Sequence, residues 1–460
     1  MPVAPPTWHS PEVAAVLPEL APAERPGQAM HALLRELYPL CRSITGEGVR
    51  ETLRVLGRYL PPGLQVREVP SGSAVLDWTV PPEWNIRDAY IKDQQGRRVV
   101  DFRRLNLHVV GYSQPLPRQW LSRAALDAHL HSLPAQPALT PYRTSYYQPA
   151  WGFCLPHQLR EQLRDEQYEV CIDATLDAAG SLTYGQLVLP GDTDEEVLFS
   201  CHICHPSLAN DNLAGVVVAT WLARWLAARP RRRYTYRFVF VPGTIGAICW
   251  LHEHRETVVP RIRHGLVLSL LGGPGEFTYK RSRQGAAAID RVVAQVLRQA
   301  APEAHQLREF TPYGYDERQY CSPGFNLPVG CLTRTPFAEF PEYHTSADNP
   351  GLVRPRQLAA SLRLLRQICR ALEQHDRRYL NRQPYGEPQL GRRGLYGGLK
   401  GTGNPKQAEM ALLWILNLAD GQHDVLAMAE RSGMSFAALR RAIRSLRRAE
   451  LLAPVPPPRE

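Results

Sequence analysis

The sequence has no uninterrupted apolar run long enough to cross a bilayer, which excludes a helical membrane protein. It also lacks the basic, apolar and small-residue pattern of a secretory leader. Residues 1–26 are rich in Pro and Ala and read as a flexible tail, so a cytoplasmic location is expected. The nine cysteines are an odd number without framework spacing, which argues against a disulfide scaffold and for free thiols in a reducing compartment. Lysine is scarce. The +10 net charge, from 54 basic and 44 acidic residues, is carried almost entirely by arginine. Apart from clusters near Arg231 and Arg440–Arg448 this charge is spread along the chain, which suits solubility or an anionic substrate and disfavours nucleic acid as a partner.

What is present is a chain of 460 residues that is 44% hydrophobic, enough to bury a large core in several domains. The most informative stretch is Val197–Gly215, VLFSCHICHPSLANDNLAG. It opens as an apolar run with the look of a buried strand, passes through a polar loop, and leads into a helix over Leu213–Leu226. In open parallel sheets, ligands bind at the carboxyl ends of strands. His202, Cys204, His205 and Asp211 fall at such an end, and zinc accepts imidazole nitrogen and carboxylate oxygen. Taken singly, Asp211 could be a helix N-cap and His202 a core histidine.

Strand-like and helical stretches alternate through the rest of the body. Strands are expected at Tyr168–Ala174 paired with Ser181–Leu189, and at Tyr234–Val241, Gly265–Leu271 and Val329–Thr333. Helices are expected at Ile289–Ala300 and Pro355–Leu372. This predicts an α/β fold with a mixed, mainly parallel sheet and helices on both faces. Short strands between Pro and Gly turns mark residues 64–155 as a β-rich insertion, so the main domain is discontinuous, 27–63 and 156–385. A glycine-rich linker at 386–404 leads to a winged helix-turn-helix at 405–460, with Ser435 as an expected N-cap. The basic last helix of that unit could meet phosphates, but protein docking or a homo-oligomer contact is the expected use.

On longer motifs the chain resembles the zinc aminopeptidase superfamily of bacterial leucyl aminopeptidases and glutaminyl cyclases. It is more closely similar to a bacterial aminopeptidase-like family with an inserted β domain and a C-terminal winged helix. The motifs are Cys41–Gly46, Glu83–Ile86, Trp151–Cys154, Cys201–Gly215, Tyr279–Arg283, Asp316–Gly324 and Glu342–Asn349. The resemblance implies zinc ligation by His202, Asp211 and His344, with His205 the next candidate. It implies that Cys204 stands where relatives keep an aspartate behind the histidine ligand. It also exposes two departures. The general-base glutamate is expected where Gly243 stands, and a further ligand aspartate where Gly273 stands. Asp316 and Glu317 match a stretch that brings an acidic residue near the site and are the catalytic candidates to replace the base, and Glu342 would share the face of His344 if that piece were extended. Lys280, Arg281 and Arg283 could hold a substrate anion.

The expected function is a zinc-dependent hydrolase cleaving a small amide or amino-acid conjugate with a zinc-activated water. The competing expectations are a single-zinc acyl transferase or cyclase, and a catalytically eroded binding protein of the same fold.

Overall fold

A computed structural model describes residues 26–395 and 405–455. Residues 1–25 of the expected tail and 396–404 of the expected linker therefore lie outside the described residues.

An eight-stranded sheet forms the body. Its strands are β1 (Gln65–Pro70), β6 (Ser181–Leu189), β7 (Glu196–His202), β8 (Thr235–Val241), β9 (Ile262–Leu268), β10 (Phe277–Lys280), β11 (His305–Arg308) and β12 (Val329–Thr333). The order is β1-β6-β8-β7-β9-β12-β10-β11. The four central strands, β8, β7, β9 and β12, are mutually parallel, as are β10 and β11, and the remaining pairs are antiparallel. From β7 the chain passes through helix α3 (Gly215–Ala227) to β8 on one side, then through α4 (Ile245–His254) to β9 on the other. The strand order thus reverses around β7, and the crevice at its carboxyl end is where such sheets bind ligands.

Alternation along β7 decides what faces what. Val197, Phe199 and Cys201 point into a core shared with α1 (Pro26–Leu37), α2 (Glu47–Gly57), α3, α5 (Ala288–Ala300) and α6 (Pro355–Leu372). Leu198, Ser200 and His202 lie on the opposite face, where Leu198 joins a second core with α4 and the inserted β structure.

Two strands sit elsewhere than expected. β1, assigned to the insertion, pairs antiparallel with β6 in the body sheet. The segment around Tyr168–Ala174 does not pair with Ser181–Leu189. It forms β5 (Gln167–Asp177), an inner strand of the insertion's four-stranded sheet, between β2 (Glu83–Lys92) and β4 (Leu116–Ser122), with β3 (Arg98–Asp101) at the far edge. The physical reason is packing: Tyr168, Val170, Ile172 and Ala174 bury one face against Trp84, Ala89 and Ile91. The turn at 178–180 therefore carries the chain from one sheet to the next.

The C-terminal unit also starts earlier than expected. β13 (Arg378–Asn381) pairs with β14 (Asp420–Asp424) and β15 (Leu452–Pro454), closing a sheet beside α7 (Pro405–Leu418), α8 (Val425–Ser432) and α9 (Phe436–Arg448). Ser435 caps α9, accepting a hydrogen bond from Ala438 N. The unit docks on the body: Gln295 Nε2 donates to the carbonyls of Ala429 and Met434, Arg291 pairs with Glu430, and Leu426 is buried in the body core. Among the described residues no helix is long and apolar enough to cross a membrane.

Candidate metal centre

Four side chains converge beyond the end of β7. His202, the last residue of the strand, is buried and directs Nε2 to Asp211 Oδ1 at 2.8 Å. His344 Nε2 reaches Asp211 Oδ2 at 3.1 Å, and His205 Nε2 lies 3.8 Å from the same oxygen. His202, His205 and Asp211 each bring a potential ligand atom within 4.8 Å of the others. Of the three residues assigned from sequence, His202 and Asp211 share this group with His205, while His344 lies outside it and is joined through Asp211 Oδ2. Strand alternation ends at His202, so it gave no reason to place His205 on the same side. The turn after Ile203 brings its ring back.

The loops that present these groups are tied from behind. Asp211 sits in an irregular loop between β7 and α3, with φ −107° and ψ 85°. Asp348 accepts the loop's backbone N–H groups, from Ala209 (3.2 Å) and Asn210 (2.6 Å) on Oδ1 and from Asp211 (3.0 Å) on Oδ2. Burial pushes the Asp348 carboxyl up to about 7 against the pull of these N–H groups. Arg42, from the Cys41–Gly46 motif, is buried and donates from Nε to the His205 carbonyl at 2.9 Å. The His344 loop is held by the insertion, where Tyr142 N donates to His344 O (2.8 Å) and Ser346 N to Thr140 O (2.9 Å).

Aromatic rings build the walls. Tyr315 stacks on His202 with centroids 4.3 Å apart, and its hydroxyl lies 2.9 Å from both Asp211 oxygens. Tyr343 stacks on His344 at 3.9 Å, and Tyr142 packs edgewise against it at 5.0 Å. Neither Tyr315 nor Asp348 was given a role from sequence, although both lie in or beside motifs singled out there.

The electrostatics keep Asp211 ionised. Burial works against the charge, but the hydrogen bonds from His202 and His344 outweigh it and hold the carboxyl well below its usual range. Burial drives His205 down to about 3, so its imidazole is neutral, the form that binds metal.

Cys204 does not stand behind His202. Its Sγ is 3.4 Å from His205 Nδ1 and accepts a hydrogen bond from Gly243 N at 3.3 Å. The group behind His202 is Asn212, with Nδ2 3.4 Å from His202 Nδ1.

The two assigned carboxylates part company. Asp316 is fully buried, and neither oxygen has a hydrogen-bond partner among the described residues. A Cβ added at Gly243 would lie 3.4 Å from Asp316 Oδ1 and 3.1 Å from His202 Cβ. Asp316 therefore reaches the volume that a side chain at 243 would enter. Burial raises its pKa to about 7, with His202 opposing. Glu317, one residue on, is also fully buried and pairs through Oε1 with Lys280, while its Oε2 has no partner among the described residues. Glu342 lies in a turn and not in extended chain, so alternation does not bring it beside His344. Arg281 pairs with Glu309 and Arg283 donates to Asn326, so both have partners outside the centre. At Gly273 a Cβ would meet Asn210 Nδ2 at 3.1 Å, and Asn210 Oδ1 accepts Gly272 N, so an amide faces the backbone where a ligand aspartate was expected.

Residues 31–375 match the family described as a domain of unknown function, DUF4910, and residues 377–454 match the winged helix-turn-helix family. A Clostridium acetobutylicum protein, named for polysaccharide biosynthesis with an aminopeptidase-like domain, is 43% identical over 93% of this chain and 96% of its own length. A crystal structure of a Clostridium acetobutylicum protein named as a peptidase superposes with a TM-score of 0.87 at 41% identity, covering 93% of this chain and 96% of that one. A zinc aminopeptidase from Bacillus subtilis shares the fold at a TM-score of 0.55 and 12% identity, over 75% of this chain and 94% of that one.

Proposed function

This chain belongs to the DUF4910 family, and on that footing we propose that it is a metal-dependent, aminopeptidase-like hydrolase cleaving a small amide or amino-acid conjugate. The observation that carries the reading is the grouping of His202, His205 and Asp211 at the end of the central strand, with His344 on the second oxygen of Asp211.

The donor set fits zinc. Imidazole nitrogens and a carboxylate are its usual protein ligands, and donors at ~2.0–2.2 Å from one tetrahedral ion stand roughly 3.3 Å apart. The separations from Asp211 run from 2.8 to 3.8 Å. His202, Asp211 and His344 or His205 would hold the ion. When bound, zinc supplies a Lewis acid for the substrate carbonyl and lowers the pKa of water towards ~7. Gly243 and Gly273 offer no side chain, which favours one ion over two.

The chain's own residues account for the remaining tasks. Asp348 and Arg42 hold the loops of Asp211 and His205, so the donors are set before substrate arrives. Tyr142, Tyr315 and Tyr343 present flat apolar walls that exclude water and suit a small substrate. Asp316 takes the role of the missing glutamate as proton acceptor and donor. It is buried, free of other hydrogen bonds, and beside the place a side chain at 243 would fill. A carboxyl poised near neutrality is suited to passing a proton in both directions.

The test is hydrolysis of a panel of aminoacyl amides by zinc-loaded protein. Turnover that disappears in Asp211→Ala supports the reading. Zinc bound at one per chain without turnover on any amide would leave a binding protein.

A further inference from the structure

A second site lies between the body and the winged helix. A cavity of about 290 Å³ opens between α3, α6 and α9. Six arginines line it: Arg229 just beyond α3, Arg370 on α6, Arg377 before β13, and Arg440, Arg444 and Arg447 on α9. The spacing of the last three sets them on one face of the helix. The lining has one carboxylate, Glu373, which accepts hydrogen bonds from Arg233 N (2.9 Å) and the Tyr236 hydroxyl (2.8 Å). Among the described residues none of the six guanidinium groups takes part in an ion pair.

The charge is crowded and partly desolvated. Arg229, Arg366 and Arg370 gather around the Trp225 ring at 5.0, 5.6 and 5.2 Å. Arg440 Nε is buried without a hydrogen-bond partner among the described residues. Burial, then the like charges of Arg444, Arg370, Arg229 and Arg441, hold the Arg440 pKa below its ordinary value. Converging unpaired guanidiniums repel one another. A ligand with several anionic oxygens relieves that repulsion and can take paired N–H bonds from each fork.

We propose that this cleft binds the diphosphate group of a small molecule. Its volume is at the lower end of small-molecule sites. The geometry also argues against duplex DNA. In a helix-turn-helix the second helix enters the major groove, but here Arg440, Arg444 and Arg447 of α9 line a cleft against the body. The sequence cluster at Arg440–Arg448 is thereby given a ligand, and the site is separate from the metal centre.

The test is calorimetric titration of the full-length protein at constant ionic strength with inorganic pyrophosphate, orthophosphate and ADP, with a short DNA duplex as comparison. Pyrophosphate is expected to saturate at one per chain and to bind at least ten-fold more tightly than orthophosphate. Arg444→Gln and Arg229→Gln should each weaken it about ten-fold without lowering the melting temperature, since each removes one of the mutually repelling charges. Tighter binding of ADP than of pyrophosphate would identify a nucleotide as the source of the diphosphate, and the reverse would identify free diphosphate. Absence of saturable pyrophosphate binding, binding that survives both substitutions, or binding of the duplex alone overturns the proposal.

Discussion

His344 Nε2 stands 3.1 Å from Asp211 Oδ2, although 133 residues separate them in the chain. The contact uses the Asp211 oxygen that His202 leaves free. It depends on the inserted β structure, because the loop carrying His344 hydrogen-bonds to Thr140 and Tyr142. Zinc analysis of purified protein should find one ion per chain. Asp211→Ala should lower affinity by more than about 100-fold, since it removes the group all three imidazoles face. His205→Ala and His344→Ala, measured separately, will show which imidazole completes the set. Unchanged zinc content in all three variants would remove the centre.

Asp316→Asn preserves volume while removing the ability to accept a proton. It should lower turnover on an amide substrate by about 10²–10⁴-fold with zinc content unchanged. Equal turnover in wild type and variant would pass the role to another group.

Asp348→Asn tests the support of the Asp211 loop. The carboxylate accepts three backbone N–H groups through two oxygens, and an amide would turn an N–H towards one of them. An unsatisfied buried donor costs about 1–3 kcal/mol, so the melting temperature should fall by several degrees and zinc affinity with it. A variant as stable as wild type would show that the loop holds itself.

His264 predicts how stability responds to acid. Burial, then the neighbouring His375, pushes it down to about 3, whereas an unfolded histidine binds its proton near 6.5. The unfolded chain therefore binds more protons below pH ~6.5. The contribution of neutral His264 is complete above that value and is lost as pH falls towards 3, at up to about 1.4 kcal/mol per pH unit. In thermal melts from pH 7 to 4.5, His264→Leu should show a shallower decline than wild type. Parallel slopes would rule this histidine out.

Much of the body was legible because its elements carry their own periodicity. The strand ending at His202 alternates between two cores, and Pro355–Leu372 keeps helical spacing throughout. What could not be read depended on partners distant in sequence. Tyr168–Ala174 has the pattern of any half-buried strand, and only the apolar faces of Trp84 and Ile91 decide that it joins the insertion. His202, Asp211 and His344 were accessible through motifs and His205 as the next candidate, whereas Tyr315 depends on how its loop returns to the strand end. Cys204 was misplaced because position alone does not say which imidazole a thiol will touch.

The closeness of Gly243 to Asp316 bears on any attempt to place a glutamate at position 243. A glutamate grafted at 243 would have to enter space already crowded by His202 and held by another carboxyl. The single exchange would set two acids against each other in a dry pocket. Any retrofit must therefore be a paired edit, vacating position 316 as it furnishes 243, and neither half is a useful intermediate alone.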